Sequence, residues 1–413
     1  MQFIPVRLPF IASAFLFCMG MPIQSPAQTT HAAAFYVPPS PLPVREHGKV
    51  IRSRRLTDAA ALPSAARNLL VMYHSTSEDG KDVAVTGTIA IPAGDPPPGG
   101  WPVTTWTHGT TGIAPLCAPS LDTPNGPEHQ FLGMHEVVMD DYVKRGYVVV
   151  ATDYEGLGPP GLHPFLQGAS EAHGALDIIR AAREIDPRIG ARYVAIGHSQ
   201  GGQADLFTAA LGPAYVPELK LLGNVALAPA SHIAATLQAM MQASTPSYAL
   251  GYAMYVLESF ASNHPGIELN KILTKQELDH LPETLHACIT ATVSKGYWAT
   301  AIPKNQFLPG ADLTSVLKVA AENEPNELKI GVPTLVAQGT ADDTVMPAWT
   351  DNVVGSLCKS GTPLEYIVQH GATHETVLTS STAQMKAWVD ARFAGKTTES
   401  NCSALPSAAA PGK

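Results

Sequence analysis

Between the apolar run Tyr193-Val194-Ala195-Ile196 and the helix-like stretch Gly202 to Leu211 stands Gly197-His198-Ser199-Gln200-Gly201. A chain that passes from strand to helix across one residue forces that residue into a strained backbone conformation and leaves its side chain exposed at the sheet edge. Glycine has to stand on either side, because the two backbones approach too closely for side chains. The bare G-x-S-x-G pattern arises by chance in chains of this size. Its place between strand and helix gives it weight, and residues further along decide what it means.

The surrounding pattern is one of alternation. Leu69 to His74 and Ala84 to Ile91 read as an antiparallel hairpin turning at Glu78-Asp79-Gly80. Short apolar runs at Val103 to Thr107, Tyr147 to Ala151, Tyr193 to Ile196, Leu222 to Leu227, Thr334 to Ala337 and Leu364 to Val368 predict buried strands. Helical spacing lies between them, at His129 to Lys144 and Ala169 to Glu184, with a last helix near Ala383 to Phe393. From Ser231 to Ile330 the alternation stops and only helices are predicted. The expected class is therefore α/β: a mostly parallel central sheet flanked by helices, with a helical cap inserted. The expected organisation is a signal peptide at 1–27, an N-terminal extension or linker at 28–64, and a first part of the core at 65–230. The cap insertion at 231–330, a second part of the core at 331–395 and a disordered tail at 396–413 complete it.

The signal-peptide reading rests on Arg7, the apolar stretch Leu8 to Met21, and the small residues Ser25 and Ala27 before Gln28. The expected location is therefore outside the cytoplasm, extracellular or periplasmic. Past that segment remain Cys117, Cys288, Cys358 and Cys402, an even number that in an exported chain predicts two disulfides. A formal charge of −9, with no block of like charge, argues against nucleic acid or an anionic membrane surface as a partner. No metal-ligand spacing stands out. The pair His135-Glu136 falls on a predicted helix and reads as a solvated face.

A serine hydroxyl is a poor nucleophile at neutral pH and needs a histidine base, which needs a carboxylate to fix its tautomer. In this architecture the chain order is serine, acid, histidine, each on a loop at the carboxyl end of a strand. After the strand Thr334 to Ala337 two acids compete, Asp342 and Asp343, and the G-x-x-D-x-x-V spacing favours Asp342. Asp343 reads as an exposed turn carboxylate capping the next helix. Of the 15 histidines only His370 and His374 follow these acids. His374 stands on the flexible Gly371-Ala372-Thr373 loop and is the expected base; His370 directly follows a strand and reads as structural. His198 adjoins the serine, but consecutive side chains diverge on a sharp turn, so it reads as packing beneath the site. The oxyanion of a tetrahedral intermediate needs two N–H donors. The amide of Gln200 at the helix N-terminus is one, and the loop His108-Gly109-Thr110 supplies the other, with Thr110 chosen and Thr111 second.

Four segments together, Gly197-His198-Ser199-Gln200-Gly201-Gly202, His108-Gly109-Thr110-Thr111-Gly112, Cys117-Ala118-Pro119-Ser120 and Asp153-Tyr154-Glu155-Gly156-Leu157-Gly158, resemble the secretory lipase family of α/β-hydrolases, from about Tyr73 to Phe393. The resemblance implies an α/β-hydrolase fold, a catalytic triad of Ser199, Asp342 and His374, and the disulfides Cys117–Cys288 and Cys358–Cys402. Gln200 departs from yeast members, which carry a small residue there, so their substrate preference does not transfer.

The expected function is a secreted serine carboxylic-ester hydrolase, a lipase or esterase working through an acyl-enzyme without cofactor or metal. Its partners are a lipid or small ester substrate and, transiently, a lipid interface; no obligate protein partner is implied. Cap residues Met240, Met241, Tyr248, Tyr252, Met254, Tyr255, Phe260 and Trp298 are candidates for lining an acyl tunnel. Asp153 reads as a loop-fixing carboxylate. The competing readings are a serine peptidase, which needs a charged anchor for a peptide terminus, and a non-catalytic binding protein on the same fold.

Overall fold

In the computed structural model, which describes residues 34–404, nine strands form one sheet in the order β1-β2-β3-β5-β4-β6-β7-β8-β9. The strands are β1 Val50–Arg55, β2 Arg67–Thr76, β3 Asp82–Ile91, β4 Trp101–Thr107, β5 Val148–Thr152, β6 Ile189–His198, β7 Lys220–Leu227, β8 Thr334–Gly339 and β9 Leu364–Gln369. The pairings from β1 to β5 are antiparallel, and all those from β5 through β4 to β9 are parallel. These strands belong to a compact unit, Pro38–Lys413; of the other unit, Met1–Val37, the described part is 34–37, a helical turn at 34–36 followed by Val37. The predicted signal peptide lies outside the described residues.

The parallel strands are apolar on both faces because helices cover both. In β7 and β8, Val225, Leu227, Leu335 and Ala337 pack on one side with α1 (His129–Lys144), α10 (Thr376–Ser380) and α11 (Thr382–Phe393). Ala226 and Val336, one residue out of step, pack on the other side with α3 (Gln200–Tyr215) and α9 (Pro347–Lys359). The helix α2 (Gly168–Ile185) covers β4 and β5 on that second side through Leu176, Ile178 and Ile179. A two-residue side-chain period buried twice gives a continuous hydrophobic run, which is the signal the sequence carries.

β1 departs from expectation. Residues 28–64 read as an extension outside the fold, yet 50–55 pair with β2 as an edge strand. Its sequence, VIRSRR, is mostly polar and charged. Charge on an edge strand discourages pairing with other chains and erases the hydrophobic alternation by which a strand is recognised. The tail departs as well. Residues 396–404 of the stretch expected to be disordered are placed, with the Asn401 side chain bridging the Tyr366 N–H (2.8 Å) and carbonyl (2.9 Å) beside the Cys358–Cys402 disulfide.

Between β7 and β8 run α4 (Ile233–Gln242), α5 (Ala249–Asn263), α6 (Lys275–His280), α7 (Ile289–Ser294) and α8 (Thr314–Glu322). They share a core of their own, which includes Leu250, Met254, Tyr255, Phe260 and Trp298 and extends down to Ile113 and Phe165 of the sheet unit's loops. The Cys117–Cys288 disulfide (Cα–Cα 5.5 Å) and the bond from Ile289 N–H to Thr111 O (2.8 Å) fasten this layer to the loop after β4.

Candidate active site

The sheet brings four loops together at the carboxyl ends of its strands. The chain leaves β4 to form β5 on one side and later returns to form β6 on the other, so a crevice opens beside the end of β4. There Thr107 lies level with Gly197, which puts the loop carrying Thr110 next to Ser199.

Ser199 is the single residue between β6 and α3, with φ 58° and ψ −121°. A non-glycine residue at positive φ is strained and persists only where its surroundings hold it. Three backbone bonds do so: Ser199 N–H donates to Leu227 O (2.9 Å), and Ser199 O accepts from Gln203 N–H (3.1 Å) and Ala230 N–H (2.9 Å). The flanking glycines are a steric requirement. A Cβ at 197 would lie 2.0 Å from Gly201 O, and one at 201 would lie 2.0 Å from Thr107 O.

Asp342 and His374 meet across the ends of β8 and β9, with His374 Nδ1 2.9 Å from Asp342 Oδ2. The histidine loop can cross there because residue 339 is glycine; a Cβ would strike Ala372 O at 2.3 Å. Asp342 Oδ1 accepts from the amides of Thr344 (2.9 Å) and Val345 (2.8 Å), and Oδ2 also accepts from Gln338 Nε2 (3.0 Å). Burial pushes this carboxyl's pKa up, but the hydrogen bond and charge of His374 and the two amides outweigh it, and the net shift is downward. An ionised Asp342 takes the Nδ1 proton of His374 as a hydrogen bond and leaves Nε2 free to act as a base. Asp343, by contrast, has an exposed side chain, and α9 has no side-chain cap, so the expected capping role is not seen. His370 is exposed at the strand end.

Among the described residues, Ser199 Oγ makes no hydrogen bond to His374. The two are linked through the neighbouring residue. His198 Nε2 donates to the His374 carbonyl (2.8 Å), and the rings lie 4.7 Å apart. His198 is fully buried. Burial first, then the charges of His374 and His135, hold its pKa far below the ordinary range, so the ring stays neutral with its proton on Nε2. Behind it His135 packs on His198, Phe131 and Trp106. The reading of His135 as a solvated face is therefore corrected: it is 1% exposed, and burial lowers its pKa to about 3. The helical pattern of α1 was legible, but which of its polar residues turned inward was not.

Thr110, Ser199 and Gln200 line one cavity of about 380 Å³ under the cap. Most of the remaining wall is apolar, including Phe165, Leu166, Ile233, Leu237, Val256 and Trp349. Of the cap residues singled out from the sequence, Met240, Tyr248 and Tyr252 reach this cavity. Met254, Tyr255, Phe260 and Trp298 are core residues of the cap, and Met241 packs against that core. Across the mouth, Tyr248 OH donates to Asp343 O (2.5 Å). Asp153 fixes the disulfide loop, accepting from Ser120 N–H (2.9 Å) and Thr86 Oγ1 (2.7 Å), and burial raises its pKa to about 6. A wider hollow of about 570 Å³ lies elsewhere, walled by charged residues such as Lys49, Arg180 and Glu218, with no serine, threonine or cysteine among the described residues that line it.

Sequence reasoning missed the groups that hold these parts in place. Gln338, immediately before the acid motif, orients Asp342. His163 and Glu171, both fully buried, bind the Gln200 side chain. No spacing rule marks them, since they lie in a loop and at a helix start.

A mostly parallel sheet with helices on both faces, a strained serine between strand and helix, and a cap after the seventh strand define an α/β-hydrolase. The sequence profile of the secretory lipases matches residues 128–401, and the chain belongs to that family. It is 24% identical over 396 residues to the secreted triacylglycerol lipase LIP4 of Malassezia globosa, covering 90% of this chain and 83% of that protein. The X-ray structure of Candida antarctica lipase A matches with a TM-score of 0.76 at 20% identity, covering 89% of this chain and 87% of the other. The ligand-bound rice cell wall degrading esterase LipA from Xanthomonas oryzae matches with a TM-score of 0.68 at 18% identity, covering 85% and 100%. At such identities the two structures speak to the fold alone.

Proposed function

We propose that this protein is an exported serine hydrolase that cleaves carboxylic esters with an apolar acyl group through an acyl-enzyme. The observation that carries the reading is the hydrogen-bonded pair Asp342–His374 at the same sheet rim as Ser199, whose strained turn opens into an apolar cavity. Ser199 Oγ attacks the ester carbonyl carbon while His374 Nε2 takes its proton. The amides of Gln200 and Thr110 hold the oxyanion. The oxyanion then collapses, and the alcohol leaves with the proton from His374. Water, activated by the same imidazole, attacks the acyl-enzyme, releasing the acid and restoring Ser199.

Membership in a family of secretory lipases supports export and ester substrates, as does the likeness to a secreted triacylglycerol lipase. The apolar walls favour an acyl chain over a peptide: among the described residues the lining carries no Lys or Arg for a peptide carboxylate and no cluster of acids for its amine, Asp343 standing alone. The test is turnover of p-nitrophenyl esters by Ser199→Ala, with labelling of the wild type by a fluorophosphonate. Loss of turnover with an unchanged fold, and labelling that disappears in the variant, is the expected result. Activity persisting in Ser199→Ala would overturn the assignment, and an unlabelled wild type would favour a non-catalytic protein.

A further inference from the structure

Glu171 stands in the first turn of α2 and is completely buried, as is His163 in the loop before it. Between them lies the side-chain amide of Gln200, whose Nε2 is 2.7 Å from Glu171 Oε1 and 2.7 Å from His163 Nε2. His163 Nδ1 lies 2.9 Å from the Glu155 carbonyl, which can only accept, so that nitrogen carries the proton. The Gln200 amide nitrogen can only donate, so His163 Nε2 accepts from it, and its two N–H bonds are divided between an imidazole and a carboxylate that themselves lie 3.5 Å apart. The His163 ring is fixed in turn by stacking on Tyr154, with centroids 5.3 Å apart and planes 8° from parallel.

The cluster is a poor stability device. Glu171 Oε2 and Gln200 Oε1 have no partner among the described residues, and burial pushes the Glu171 carboxyl pKa up. Half-satisfied buried polar groups cost more than an apolar filling of the same shape. The cluster does, however, fix the first residue of α3. The amides of a helix's first turn have no partner within the helix, and nothing in the helix itself sets the aim of the first N–H. Here the turn also follows a strained residue, so its geometry has to be imposed from outside. Gln203, one turn on, is clamped similarly, donating to Leu166 O (3.2 Å) and Asn323 O (2.8 Å).

Glu171 Oε1 performs a second task. It accepts the Leu166 N–H at 3.0 Å, and Leu166, held at φ 56°, is a wall of the cavity that contains Ser199. One buried oxygen thus sets both the cavity wall and the residue whose backbone amide faces the reacting centre. We propose that Glu171 and His163 are positioning residues that clamp the Gln200 side chain, fixing the aim of its backbone N–H at the oxyanion and coupling it to the acyl-side wall at Leu166. This rests on the serine-hydrolase reading above and names what makes its oxyanion site rigid.

The test is a double-mutant cycle on the full-length enzyme. Gln200→Leu keeps the backbone amide and removes the clamp. Glu171→Leu removes the carboxylate at similar volume, and His163→Phe keeps the ring on Tyr154 without its nitrogens. Losing a whole oxyanion donor lowers kcat by about 10²–10³, and a misaimed donor should lose a fraction of that. The expected result is a fall of about 10-fold in kcat for Gln200→Leu, with KM within a factor of two. Phosphonylation of Ser199 should slow in parallel. Combining Gln200→Leu with Glu171→Leu, or with His163→Phe where the first does not fold, should lower kcat no further than the worse single variant. Glu171→Gln, which keeps an acceptor oxygen, should recover much of the rate lost in Glu171→Leu. Multiplicative losses in the cycle, wild-type kcat in Gln200→Leu, or an effect confined to KM would overturn the clamp while Ser199 remained essential. Turnover surviving in Ser199→Ala would instead sink the underlying reading, and the clamp with it.

Discussion

Replacing Asp342 by asparagine tests the base more sharply than removing the serine, because the structure says what the new amide must do. Four donors converge on this carboxylate: the Thr344 and Val345 amides on Oδ1, and His374 Nδ1 and Gln338 Nε2 on Oδ2. Asparagine has one acceptor oxygen. Keeping the two backbone bonds turns its NH2 toward His374 and Gln338, where donor would face donor. His374 relieves the conflict by moving its proton to Nε2, which removes the lone pair that accepts from Ser199. A wrong tautomer of this kind costs about 10⁴ in kcat, or roughly 5.5 kcal/mol of barrier. Gln338 Nε2 keeps the Gly339 and Val345 carbonyls as acceptors (3.2 and 3.1 Å), so the loss of stability should stay within about 1 kcal/mol. Initial rates with p-nitrophenyl butyrate at saturation, beside thermal unfolding, measure both. The comparison variant is Asp343→Asn, whose side chain is exposed and should leave the rate within a factor of two. A folded Asp342→Asn enzyme within 10-fold of wild type would refute the tautomer argument and reopen the choice of acid.

Three further outcomes follow from the same geometry. His198→Phe should keep the ring packing but lose the donor to the His374 carbonyl, lowering kcat by about 10-fold or more at near-constant KM; an unchanged kcat would show that the loop needs no such tie. Removing Cys117–Cys288, which closes a separation of 171 residues, should cost about 5 kcal/mol on chain entropy, and Cys358–Cys402, separation 44, about 4. Denaturant midpoints in the opposite order would contradict this. Within the cap, burial, reinforced by the charge of Glu277, raises the Glu258 carboxyl to about 8. The folded protein then keeps a proton that the unfolded chain releases above its ordinary 4.5, so stability falls as pH rises between about 4.5 and 8. Glu258→Gln should flatten that slope and be the more stable protein at pH 8; a gap between the two that does not change with pH would exclude the effect.

The parallel strands were legible because burial on both faces writes a plain apolar run, and serine, acid and histidine could be ordered because each follows the end of such a run. What stayed hidden was whatever depends on two distant segments meeting. β1 is invisible because an edge strand has one neighbour, and four of its six residues, Arg52, Ser53, Arg54 and Arg55, are polar or charged, so no apolar alternation marks it. His135 and Glu136 are adjacent on one helix, yet only the packing of α1 against Trp106 decides that the histidine turns inward. Gly339 enters the sequence reading only as the first position of the G-x-x-D-x-x-V spacing, but its need is steric and comes from a loop more than thirty residues away, whose Ala372 carbonyl lies where a Cβ would be. The clamp on Gln200 is the extreme case. Its two partners come from a proline-rich loop and a helix start, neither with a periodic signal, and the glutamine itself sits at a position that the G-x-S-x-G pattern leaves free. A pattern records which positions the backbone cannot vary. The side chains that hold the two free positions, His198 against the His374 carbonyl and Gln200 against Glu171, are chosen by the rest of the fold, and it is through them that a strained turn acquires a fixed direction.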